Sequence, residues 1–238
     1  MVDTMSKNYR NFVDALVEKY EARWAAIIEK EGEIPAYRAY DEKLNERFLR
    51  SARSFYWTME TMGDMVGMPD LEGKFLEVIW KQKYLYNYLY MFQLAEEILM
   101  LGTERKIEEF VINMISDMRP ESALNIPGLV GFGIGDYEGN VVESYIDMEK
   151  IKEISGKSYD EEEVKSIFVD ITREIFEKFT YMGDAGFGDG KYMEVDWENV
   201  RGWMFPYKDM VATAIFTTDK IDSLINIMNY LLKSTSGE

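Results

Sequence analysis

The chain contains neither cysteine nor histidine. Without cysteine there is no disulfide, no thiolate nucleophile and no Cys-ligated zinc or iron–sulfur centre. Without histidine there is no Ser-His-Asp triad and no imidazole acid or base. The Glu-x-x-His pairs of di-iron bundles are excluded as well. Magnesium or calcium in an all-oxygen site stays chemically open. No motif in the chain calls for either ion, nor for any other cofactor, so none is expected.

Positive charge is also scarce. The net charge is −17 over 238 residues. Residues 1–120 hold 16 Lys+Arg against 21 Asp+Glu, and residues 121–238 hold 11 against 23. Phosphate backbones and anionic membrane surfaces both need clustered cations, so neither nucleic acid nor membrane is an expected partner. No run of about 18 uncharged apolar residues spans a bilayer. The opening MVDTMSKNYRNF lacks an apolar signal core, and the expected location is cytoplasmic. Hydrophobic residues make up 47%, enough for a core.

The clearest pattern runs from Asn125 to Ile146, NIPGLVGFGIGDYEGNVVESYI. Two β-favouring runs flank Asp136-Tyr137-Glu138-Gly139-Asn140, which reads as a hairpin. Gly131, Gly133 and Gly135 share one strand face, and a bare face admits a close-packed helix or a ligand. The run is not a dinucleotide fingerprint, because a strand follows it rather than a helix.

Upstream, three segments read as helices: 6–31, 36–66 and 71–101. Apolar residues recur in the first two at three- and four-residue spacing. In the third, KYLYNYLYMF alternates as a strand would, but its flanks EVIWKQK and QLAEEILML favour a helix, so one long helix is expected. Residues 1–102 are thus expected to be an antiparallel helical region.

Downstream, a helix is expected over 103–118 with Thr103 as N-cap, then the hairpin, then a helix opened by Ser158 and Glu161 as a capping box. The segment GDAGFGDG reads as a loop, since Asp184 and Asp189 do not match a calcium-loop spacing. Three strands follow at Tyr192–Asp196, Val200–Phe205 and Met210–Thr217, with a last helix over 220–233 capped by Thr218-Asp219. The fold class expected is α+β: antiparallel helices, then a two-layer domain over 103–238 with a five-stranded antiparallel sheet in the order αββαβββα.

That order, the Asp136…Gly139 turn behind Ile126-Pro127-Gly128-Leu129-Val130, and Trp197-Glu-Asn-Val-Arg-Gly202-Trp203 resemble the roadblock/longin family of profilin-like domains. The tryptophan–glycine–tryptophan arrangement is similar to one in a small group of bacterial and archaeal roadblock-like proteins. The resemblance covers about residues 103–233. It implies a non-enzymatic scaffold or regulator that forms a homodimer or engages a heteromeric protein partner. The helical extension at 1–102 lies outside the family pattern.

Three functions stay open on the residues. One is the interaction module. Another is a small-molecule or sensory protein with a pocket between helices and sheet, lined by Tyr84, Tyr88, Trp197, Trp203 and Phe205. There Arg201, placed on the opposite face of the Trp203 strand, pairs with an anionic ligand or a surface acid. The last is an enzyme using carboxylate, tyrosine or lysine chemistry, for which no residue pair stands out.

Overall fold

The computed structural model describes residues 2–29, 32–40, 54, 57, 61, 74–82, 85–94, 97–118, 120–136, 138, 140–187, 193–196, 199–207 and 210–236. The protein is α+β, with two antiparallel five-stranded sheets. It divides into two compact units, Met1–Phe110 with Ile227–Glu238, and Val111–Asn226.

The first unit starts with α1 (Val2–Asp14), which continues as one π-helical turn, Ala15–Lys19. Strands β1 (Trp24–Ile28), β2 (Ala36–Ala39), β3 (Phe75–Gln82), β4 (Leu85–Leu94) and β5 (Glu97–Thr103) follow, and after them comes the start of α2 (Ile107–Ser116), whose remainder belongs to the second unit. The strands lie in the order β2-β1-β5-β4-β3.

The expectation of three helices over 1–102 is therefore corrected. The helix expected over 6–31 gives way to strand at Trp24, and that expected over 71–101 is β3, β4 and β5. The helix expected over 36–66 loses Ala36–Ala39 to β2, and most of its remainder lies outside the described residues. The physical reason is burial on both sides of the sheet. On one face of β4, Tyr88, Tyr90 and Phe92 stack in a ladder with ring centroids 6.0 and 6.3 Å apart. On the other, Leu89 and Met91 join Ala26, Ile28, Ile98 and Met100 in a core cluster. A strand buried on both faces reads as an unbroken apolar run, and periodicity alone does not tell it from a helix.

Tyr90 illustrates how the sheet holds α2. Its buried hydroxyl accepts a hydrogen bond from the Ile107 backbone N–H at 3.1 Å, one of the donors a helix start leaves unpaired. Burial, and after it the Glu77 charge, push the phenol above its ordinary pKa, so it stays neutral. Replacing Tyr90 with Phe strands a buried N–H. The expected loss is about 1–2 kcal/mol in urea unfolding, with faster amide exchange at Ile107.

The second unit contains α3 (Pro120–Ala123), β6 (Leu129–Gly135), β7 (Val141–Ile146), α4 (Met148–Ser155), α5 (Glu161–Met182), a π turn at Gly183–Phe187, β8 (Met193–Asp196), β9 (Arg201–Tyr207), β10 (Met210–Phe216) and the start of α6 (Lys220–Ser236). Its strand order is β7-β6-β10-β9-β8. The hairpin, the last three strands and the terminal helix agree with the sequence reading. Asp136 shapes the hairpin turn, accepting from the backbone N–H of Glu138 (3.0 Å) and of Asn140 (2.8 Å). Gly139, expected in that turn, lies outside the described residues.

Several local readings change: α3 was not expected, and the segment read as a loop from Gly183 begins as the π turn Gly183–Phe187. Thr103 ends β5 rather than capping a helix. Asp160 takes the capping role expected of Ser158, accepting from the Glu162 N–H at 2.8 Å. Helix α4, capped by Asp147 and closed by Gly156 in the left-handed region, was not expected. The bare glycine face of β6 is covered by α5, which packs on β6, β7 and β10. Close helix packing thus accounts for the stripe.

The two sheets share one topology. Numbered within each unit, both run 2-1-5-4-3. The chain is a tandem repeat of one sheet architecture, in place of a helical extension on a single sheet domain.

Candidate functional site

The residues expected to line a pocket are divided, where they are described, between the two units. Tyr84 and Trp197 lie outside the described residues, and Phe205 is placed on β9 without a described side chain. Tyr88 stands on β4 in the first unit, within the aromatic ladder. Trp203 and Arg201 stand on β9 in the second. Trp203 is fully buried against Phe216, with ring centroids 4.7 Å apart. Arg201 is not on the opposite face from Trp203, because residues two apart in a strand point the same way. Both reach Glu194 Oε1, the Trp203 indole N–H at 3.3 Å and the Arg201 Nε at 3.4 Å. Arg201 also pairs with Asp196, whose hydrogen bond is the main reason its pKa is raised. Lys220 approaches Glu194 Oε2 at 3.7 Å. Arg201 is thus engaged in ion pairs.

A different site is present within the first unit, at the turn joining α1 to β1. A cavity of about 760 Å³ opens there. Among the described residues its charged lining is Arg23, Arg38, Arg105, Glu18, Glu21 and Glu104, over an apolar floor that includes Val17, Ala22 and Phe110. Three strands converge to build it. Arg23 immediately precedes β1, Arg38 is on β2, and Arg105 follows β5. The sheet register explains the meeting: Trp24 pairs with both Ala39 and Gly102. Backbone bonds fix the corner, from Arg23 N–H to Gly102 O at 2.9 Å and from Tyr40 N–H to Arg23 O at 2.8 Å.

Each arginine meets a carboxylate. Arg38 Nη2 lies 2.6 Å from Glu18, Arg105 Nη2 lies 2.8 Å from Glu21, and Arg23 Nη1 lies 3.3 Å from Glu104. Arg23 also donates to Asn87 Oδ1 at 2.7 Å. All three pairs are substantially exposed, and exposed pairs add little to stability.

The turn itself is strained. Glu21 has φ +61°, the one positive φ outside glycine among the described residues. The chain leaves the π-helical turn through Tyr20, and Ala22 N–H bonds back to Leu16 O at 2.9 Å. Glycine is the usual residue in such a left-handed exit, and a side chain there costs on the order of 1–2 kcal/mol. Strain of this kind and π-helical turns both concentrate at functional positions. Sequence reasoning passed over this site because its arginines come together only through the strand register.

No family model and no curated protein matches the chain. Solved structures do. MglB of Myxococcus xanthus is 13% identical, over 42% of this chain and 72% of that one, with a TM-score of 0.33. A roadblock/LC7 domain of Streptomyces avermitilis is 12% identical, over 48% and 88%, at 0.33. The sensory domain of the Campylobacter jejuni chemoreceptor Tlp3 is 9% identical, over 88% and 73%, at 0.26. Among the described residues no helix is long and apolar enough to cross a membrane.

Proposed function

We propose that the chain is a non-enzymatic interaction and regulatory protein that associates with a second copy of itself through the edges of its sheets. The observation that carries this reading is what the edge strands display. Tyr37 on β2 is 39% exposed, Ile79 on β3 50% and Val142 on β7 60%. These strands lie at the outer positions of the two sheets. An edge strand presents unpaired backbone donors and acceptors, and soluble proteins commonly blunt such edges with charge. Large apolar residues there favour strand-to-strand association instead.

Native mass spectrometry over a concentration series tests the reading. The wild-type chain is expected as a dimer or larger assembly, and Val142→Lys combined with Ile79→Lys is expected to shift it to monomer. A wild-type chain that is monomeric throughout, or an assembly indifferent to both lysines, overturns it.

The cavity at the Glu21 turn supports a second reading, binding of a small molecule. Its volume of about 760 Å³ lies within the range of ligand sites.

A further inference from the structure

We propose that the cavity at the Glu21 turn binds a small zwitterion, a free amino acid or a short unblocked peptide, with its carboxylate on the arginines and its ammonium on the glutamates. This rests on the small-molecule reading above and names the ligand's chemistry.

The charges decide the class. Among the described residues three guanidiniums and three carboxylates line the cavity, so their formal charges cancel. A polyanion meets Glu18, Glu21 and Glu104 together with the arginines, and a polycation meets the reverse. A ligand carrying both signs can engage both sets. Each guanidinium carries five N–H donors in a fixed fork suited to a carboxylate. The existing pairs are exposed, so a ligand exchanges one set of ion pairs for another without unmaking the core. The apolar floor of Val17, Ala22 and Phe110 offers a place for an aliphatic or aromatic side chain.

The second unit shows that the fold does not require this arrangement. Its sheet has the same strand order, so positions correspond through the pairing. Trp24 pairs with Gly102 as Leu129, past a bulge between Ile215 and Phe216, pairs with Phe216. Arg23, Glu104 and Arg105 then correspond to Gly128, Thr218 and Asp219. The β2 and β7 registers likewise place Arg38 opposite Asp147 in the comparison. At that corner Asp147 and Asp219 accept from backbone N–H groups at the starts of α4 and α6. Thr218 lies against Gly128 so closely that an added Cβ would come within 2.6 Å of its hydroxyl. One copy of the corner is closed and acts as helix cap. The other is open, carries three arginines and keeps a left-handed glutamate.

The test is isothermal titration and thermal shift on the full chain. The probes are the free L-amino acids and unblocked di- and tripeptides, beside N-acetyl amino acids, amino-acid amides and inorganic phosphate. At least one free amino acid or unblocked peptide is expected to bind and raise the melting temperature, and whichever arm binds tells amino acid from peptide. Its N-acetyl and amide forms are expected to bind about tenfold weaker or worse, as are Arg38→Gln and Arg105→Gln. Glu21→Gly is expected to raise the melting temperature of the unliganded chain while weakening binding, a combination that a purely structural glutamate does not give. If blocked compounds or phosphate bind as well as the zwitterions and Arg38→Gln abolishes it, the site stands and the zwitterion class falls. If no probe binds, or binding ignores Arg38→Gln, Arg105→Gln and Glu21→Gly alike, both readings fall.

Discussion

Trp203→Ala is expected to destabilise the second sheet by about 3–5 kcal/mol, the range for removing a large aromatic from a packed core. Trp203 is fully buried on β9, next to the central strand β10, and its ring packs on Phe216. Alanine loses that contact and leaves a void where the indole stood. The indole N–H also donates to Glu194 at 3.3 Å. Glu194 keeps Arg201 and Lys220 as neighbours, so cavity formation accounts for most of the loss. Hydrogen exchange over β8, β9 and β10 is the direct measurement, since a two-unit chain need not unfold in one step. Trp203→Phe restores a ring without the donor and is expected to recover most of the protection. A β9 whose exchange is unchanged by the alanine would contradict the packing described.

Gly128→Ala is expected to cost about 2–4 kcal/mol, from backbone conformation and crowding together. Gly128 has φ +83°. An alanine Cβ at this position would stand 2.6 Å from Thr218 Oγ1, 2.8 Å from its Cγ2 and 3.3 Å from its Cβ. Neither partner gives way easily. The Gly128 carbonyl accepts from the Thr217 N–H at 2.8 Å, which holds the turn. The Thr218 hydroxyl lies 2.7 Å from Ser223 Oγ, which holds the side chain. Thr218→Ala removes the two closest contacts and leaves the positive φ and the 3.3 Å approach to Cβ. The double variant should therefore recover part of the loss and no more, and a thermodynamic cycle separates the two contributions. Full recovery would mean that neither the backbone conformation nor the remaining Cβ approach carries a cost.

The second unit was legible from its sequence because its signals are local. Asp136 and Asn140 mark the hairpin turn, acidic residues open α5, and Asp219 caps α6. The first unit was misread because Leu89 and Met91 are as buried as Tyr90 and Phe92. No polar face breaks the run, and the alternating tyrosines of KYLYNYLYMF were the strand signal that the flanks outweighed. Trp24, Ile27 and Ile28 likewise extend the helical spacing of α1 into what is strand. Of the candidate site almost nothing was legible. Arg23, Arg38 and Arg105 are distant in sequence, and only the pairing of β1 with both β2 and β5 gathers them. The left-handed backbone at Glu21 is equally silent, since glutamate gives no hint of it. A comparison of the two halves as ββ followed by βββ was the available clue. The Arg201 placement failed for a simpler reason, as alternation puts Arg201 and Trp203 on one side.

The repeated strand order gives the molecule an internal control. Strands β4 and β9 occupy the same rank, each flanked by two antiparallel neighbours. In one sample they share solvent, temperature and protein concentration. Differences in the exchange of their non-proline amides then report what side chains add at a common strand rank, the Tyr88–Tyr90–Phe92 ladder in one case and the Trp203 indole in the other. Comparisons of this kind usually need two proteins and a correction for everything else that differs between them.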